Sequence, residues 1–230
     1  MKQILVFGHK NPDTDSICSA ISFAELKNAQ GVNVIPCRLG NVSKETQFAL
    51  NHFGAEAPLF IENVNADENG KKEVILVDHN EKAQTADGIE SAKILEVVDH
   101  HKFALTTDEP LKITADTVGC TCTLIYRLFK QAGITPSKKA AGLMMSAIIS
   151  DTLLFKSPTC TPEDVEAVKE LSKICGEENY EDYGMKLLIE GTSLSDKTPE
   201  EIITIDMKEF DMNGKKVAVA QVNTVDVAGL

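Results

Sequence analysis

The sequence predicts an α/β protein: a parallel β-sheet flanked by helices, followed by a smaller, partial α/β unit. Three observations carry this. Over residues 1–150, short apolar runs alternate with stretches of helical periodicity. Those runs are continuously apolar, as strands of a sheet covered on both faces are. Beyond residue 197 the pattern changes to two alternating runs flanking Asn213-Gly214, the strongest short hairpin signal.

Residues 4–7 (ILVF) form the first strand. A helix follows, with Ile17, Ile21 and Ala24 at i, i+4 and i+7 and a stop near Gly31. Residues 32–37 read as strand, 43–53 as helix, and 58–61, 74–77 and 94–98 as strands. An edge strand is expected near 113–118, after which helices are expected over 123–132, 138–149, 162–174 and 180–188. Thr161 caps the third of these, with Pro162 at its first position. The stretch GTSLSDKTP lacks periodicity and reads as a linker. The expected division is a domain over 1–190, a linker over 191–197 and an incomplete C-terminal domain over 198–230, since ~30 residues are too few for an independent unit.

Composition narrows the function. Among 230 residues, 23 Lys and Arg face 35 Asp and Glu, a net charge of −12. This disfavours a nucleic-acid partner, which relies on cationic contacts to phosphate. No apolar run reaches the ~20 residues that span a bilayer, and no signal peptide opens the chain, so a cytoplasmic protein without membrane attachment is expected. The six cysteines form no C-x-x-C pair and read as reduced, buried thiols. The C-x-C pair Cys120 and Cys122 is a weak metal signal.

The chemistry gathers after the strands. His9 follows the first, in GHKNPDTDS, where Asp13 and Asp15 share what reads as a tight loop. Asp78-His79 follows VILV, and Asp99-His100-His101 follows LEVV. In open α/β sheets ligands bind beyond the carboxyl ends of the strands, so parallel strands deliver these clusters to one edge. A further acid, Asp151, ends the helical run MMSAIIS and can approach the same place. Carboxylates and imidazoles without thiolate suit Mn²⁺, Mg²⁺, Co²⁺ or Fe²⁺ better than a structural zinc site. So many ligands suit two ions bridged by a carboxylate, a device for hydrolysing phosphate esters or anhydrides. No phosphate-binding P-loop, dinucleotide fingerprint or nucleophile elbow is present.

At these residues the sequence resembles a known family. VVDHH at 97–101 matches the motif that names the DHH phosphoesterase superfamily. GHKNPDTDS, VDHNE and SDT, in order, look like the other motifs of family II, manganese-dependent inorganic pyrophosphatases, as do SPTCTPED and DMKEF. The resemblance implies that His9 and Asp13 bind a first Mn²⁺, that Asp78 bridges, and that Asp15, His100 and Asp151 hold a second. Co²⁺ or Mg²⁺ are alternatives, and a further Mg²⁺ enters with the pyrophosphate substrate. It implies that His101 faces the substrate and assists the leaving phosphate, that Lys208 contacts a phosphate, and that the chain forms a homodimer. Family members continue past this sequence with a Ser-Arg-Lys-Lys-Gln-type motif, so the resemblance implies a C-terminally truncated chain with impaired catalysis. The alternative readings are a DHH-family phosphodiesterase or nuclease, whose GGGH-type motif is absent here, and a catalytically inactive metal-binding fragment.

Overall fold

The computed structural model describes residues 3–68, 70–194, 197–204 and 207–220. Six parallel strands, β1 (Ile4–Phe7), β2 (Val34–Arg38), β3 (Leu59–Phe60), β4 (Glu73–Val77), β5 (Lys93–Asp99) and β6 (Lys112–Ala115), pair in the order β3-β2-β1-β4-β5-β6. The chain leaves β1 first toward β2 and later returns on its other side to β4. Such a switch point opens a crevice at the carboxyl ends of the two strands.

The period-2 geometry of strands sorts the apolar runs onto two faces. Ile4, Val6, Ile75, Val77 and Val98 pack into the larger core with α1 (Thr14–Ala29), α3 (Thr121–Ala132) and α4 (Lys138–Asp151), around Phe23, Leu26, Phe129, Leu143 and Met144. Phe7, Val74, Leu76 and Val97 face the other way. This second face is covered by Val64, Ala86 and Ile89, with Leu105 and Leu111 packed beside them. These lie in irregular segments and a short 3₁₀ turn, Ile89–Ser91. The chain between β4 and β5 is spent on loops rather than on a crossover helix.

Helix ends follow local chemistry. Asp13 caps α1 by accepting from the Ser16 amide, so Asp15 lies in the helix's first turn and not in the loop the sequence suggested. α2 (Lys44–His52) starts at Ser43, α4 at Ser137, and α5 (Pro162–Cys175) at Thr161, which shares a capping box with Asp164. α6 (Tyr180–Gly191) takes in the first residue of the expected linker, and a short helix, α7 (Pro199–Thr204), follows where none was predicted. The edge strand β6 is shorter than expected and starts one residue earlier. β7 (Met207–Met212) and β8 (Lys215–Ala220) form the predicted hairpin, with both turn residues, Asn213 and Gly214, at positive φ (53° and 79°). All six cysteines are free thiols.

Candidate metal centre

The crevice at the switch point is built by three strand exits and three helix ends. Gly8, between β1 and His9, lies so close to α1 that a Cβ there would meet Ser16 Oγ at 1.9 Å. Only glycine lets the first turn of α1 press against the strand exit. His9 donates from Nδ1 to its neighbour Lys10 O (2.7 Å), which fixes the tautomer and leaves Nε2 as a ligand atom. That atom lies 3.4 Å from both Asp13 Oδ2 and Asp78 Oδ2. Asp78 follows β4 at φ 59°, a left-handed conformation rare for a residue with a side chain. It is 2 % exposed, and Oδ2 is buried without a hydrogen-bond partner. Its other oxygen accepts from Thr121 Oγ1 (3.1 Å) and lies 3.6 Å from His100 Nε2.

Asp15 is fully buried. Its oxygens accept from the Thr121 and Cys122 amides (2.6 and 3.1 Å) and Ser19 Oγ (2.8 Å). Those amides open α3, so the helix dipole helps to hold the carboxylate's charge. His100 donates from Nδ1 to Val118 O (3.0 Å), again leaving Nε2 available. Asp151 ends α4. The ligand atoms of His9, Asp13 and Asp78 lie within 4.8 Å of one another. So do those of Asp15, His100 and Asp151, and of Asp78, His100 and His101. Asp78 belongs to the first and third of these sets, and His100 links the third to the second.

The electrostatics fit a divalent cation. Burial, reinforced by the neighbouring Asp15, pushes the Asp78 carboxyl well above the usual range, and burial with Asp15 and Asp78 does the same to Asp151. Burial alone would lower His9, but the Asp13 and Asp78 carboxylates beside it outweigh this and raise the imidazole to about 11. Asp13 is correspondingly lowered, its bond to His9 outweighing burial. Carboxylates packed this densely stay ionised only with a cation among them. The orphaned Asp78 Oδ2 points to the same donor set.

His101 has a different setting. It is half exposed and, with His9 and Asp78, lines a cavity of about 280 Å³. Its Nδ1 donates to Asp99 Oδ1 (2.9 Å), leaving Nε2 for a ligand, and this bond raises the imidazole above its ordinary value. Buried Asp99 is gripped in turn by Asn80 Nδ2 (2.6 Å), which also donates to Lys102 O, while Asn80 Oδ1 accepts from the Ala104 amide. His79 lines the same cavity, with its Nδ1 donating to Val77 O (2.9 Å). It is buried against Phe7, and burial lowers it to about 4. His52 sits elsewhere, on α2, paired with Glu177 and packed on Phe53 and Tyr183.

The sequence-predicted ligands His9, Asp13, Asp15, Asp78, His100 and Asp151 therefore converge. Lys208 does not line the cavity; it lies exposed on β7, opposite Val219. Cys120 and Cys122, the weak metal signal, are buried beside Asp15, their ligand atoms and its carboxylate within 4.8 Å of one another. Burial raises both, Cys122 to about 12, so they stay protonated and act as weak donors. Sequence reasoning passed over Thr121, Asn80 and the part played by Asp99. Only the C-x-C pair bracketing Thr121 marked its segment at all.

Comparison with known proteins agrees with this geometry. The family model for the DHH family, N-terminal domain, matches residues 3–148, and that for the DHHA2 domain matches residues 185–230. A Bacillus cereus protein named "Probable manganese-dependent inorganic pyrophosphatase" is 54% identical over 227 residues, covering 98% of this chain and 72% of its own. A Bacillus anthracis protein of the same name is 53% identical over the same span. A structure described as "Methanococcus jannaschii putative family II inorganic pyrophosphatase" superposes with a TM-score of 0.81 at 44% identity, over 98% of this chain and 74% of that one. An exopolyphosphatase-related protein from Bacteroides fragilis shares the fold, with a TM-score of 0.63 at 17% identity over 91% of this chain and 62% of its own.

Proposed function

This chain belongs to the manganese-dependent inorganic pyrophosphatases, family II of the DHH superfamily, and on that footing we propose that it hydrolyses pyrophosphate to two orthophosphates at the centre just described. The observation that carries the reading is Asp78, one carboxylate grouped both with His9 and Asp13 and with His100 and His101.

His9, Asp13 and Asp78 would hold one Mn²⁺, and Asp15, His100 and Asp151 the other, with Asp78 common to both. When bound, the paired ions lower the pKa of the attacking water and neutralise charge on the phosphoryl oxygens. His101 supplies the proton chemistry. Its Nδ1–H is committed to Asp99, and the raised basicity keeps a proton on Nε2. As the P–O bond to the bridging oxygen breaks, that proton passes to the leaving phosphate. Lys208 is assigned a phosphate contact on family resemblance.

The net charge of −12 supports a small anion bound among cations rather than a nucleic acid. None of the described helices is long and apolar enough to cross a membrane. We assign the chain to the cytoplasm. The exposed edge strand β6 supports a homodimer. Phosphate release from pyrophosphate and from a short oligonucleotide, each with Mn²⁺ and with EDTA, tests the reading. Mn²⁺-dependent release from pyrophosphate is expected, and preferential oligonucleotide cleavage would refute it.

A further inference from the structure

We propose that residues 118–122 (VGCTC) form a positioning strap for the metal centre, in which the Thr121 hydroxyl fixes the carboxylate plane of Asp78 between the two ligand sets. The proposal rests on the metal reading above.

Within five consecutive residues the strap touches proposed ligands from three other elements. Val118 O accepts from His100 Nδ1, which turns Nε2 of that ring toward Asp78. Thr121 Oγ1 donates to Asp78 Oδ1 at 3.1 Å. The Thr121 and Cys122 amides donate to Asp15 at 2.6 and 3.1 Å. The first amides of a helix ordinarily take a cap from the preceding residue. Here the N-cap is Cys120, whose side chain makes no capping bond, so the carboxylate of Asp15 from α1 does that work. One helix start therefore satisfies its own amides and orients a proposed ligand with the same bonds.

The strap is itself held on both sides. Buried Asp164, in the first turn of α5, accepts from the Gly119 amide (2.9 Å) and from Thr123 Oγ1 (2.6 Å). A Cβ at Gly119 would come within 2.7 Å of Thr152 Cγ2 and 2.9 Å of Asp164 Oδ2, so the backbone packs as closely as glycine allows. Cys120, Thr121 and Cys122 have no solvent exposure.

The hydroxyl matters because of what Asp78 must do. Each carboxylate oxygen carries two lone pairs, so Oδ1 can accept from Thr121 and still offer one to a cation. Oδ2 has no hydrogen bond and is free to serve the other ion. Among the described residues the hydroxyl is the hydrogen-bond donor to Oδ1, while His100 Nε2 and His101 Nδ1 lie farther off, at 3.6 and 3.8 Å. Groups that orient ligands in this way typically contribute ~10–100-fold in metal affinity.

The test is Mn²⁺ titration calorimetry on the metal-free chain, with electron paramagnetic resonance of the coupled ion pair. Thr121→Val keeps both amides and the side-chain volume but loses the hydroxyl. We expect it to weaken Mn²⁺ binding by ~10–100-fold and to alter the coupled spectrum. Thr121→Ser, which keeps the hydroxyl, should restore both. Where Thr121→Val fails to fold, Thr121→Ala set against Thr121→Ser makes the same comparison. The strap is overturned if Thr121→Val binds both ions with native affinity and spectrum, or if Thr121→Ser is as weak as Thr121→Val. A native chain that binds no Mn²⁺ overturns the metal reading and the strap with it.

Discussion

Loading the centre with Mn²⁺ must expel protons, and the structure says where from. His9 is held at about 11 by Asp13 and Asp78, so between pH 6.5 and about 11 the metal-free protein keeps a proton that its unfolded chain would release. A metal needs the neutral imidazole, so binding displaces at least that proton. Each proton displaced makes apparent affinity rise ~tenfold per pH unit, since one pKa unit corresponds to a factor of ten. Stability runs the opposite way without metal. A raised folded-state pKa contributes stability that is complete below 6.5 and lost as pH climbs through about 11. EDTA-treated protein should lose this contribution toward alkaline pH, while affinity for Mn²⁺ rises over the same window. Titration calorimetry in buffers of different ionisation enthalpy counts the protons released. Affinity that is flat with pH, or no proton release, would refute the assignment of His9.

Asp78→Ala should remove both high-affinity Mn²⁺ sites together, because the proposal gives this one carboxylate to both ions; two full sites remaining by calorimetry would exclude the bridging role. Asp99→Asn tests the hold on His101. Asp99 accepts from His101 Nδ1 and Asn80 Nδ2 on separate oxygens, whereas an asparagine offers only one acceptor oxygen, so one donor is left facing an NH₂. We expect kcat to fall ~10²-fold, at the low end of what a positioned proton donor contributes, with Mn²⁺ affinity unchanged in calorimetry. A loss in KM alone would place His101 in binding rather than proton transfer.

The sequence made the sheet and the ligands legible for the same reason. Buried parallel strands are continuous apolar runs, and polar ligands at their carboxyl ends break those runs visibly, as at Phe7-Gly8-His9 and Val77-Asp78. The loop placement of Asp15 was wrong because a single capping residue, Asp13, decides whether GHKNPDTDS stays a loop or starts a helix. The groups that orient the ligands were invisible for a different reason. Thr121 reaches Asp78 across 43 positions and Asp15 across 106. A threonine beginning a helix has no periodicity that betrays a partner so far away. The covering of the second sheet face was equally hidden, since Val64, Ala86 and Leu105 lie in segments with no regular repeat.

The strand order has a consequence for how the molecule comes together. β1 lies between β2 and β4, and the donors around the crevice arrive from positions as far apart in sequence as His9 and Asp151. Closing loops of that length carries an entropic cost before any contact rewards it. Until β4 and β5 have paired and α4 has docked, the nascent chain holds only the isolated fragment His9–Asp13. On the proposed ligand assignment, tight capture of an ion pair would therefore come late, with Mn²⁺ reporting completion of the fold rather than nucleating it.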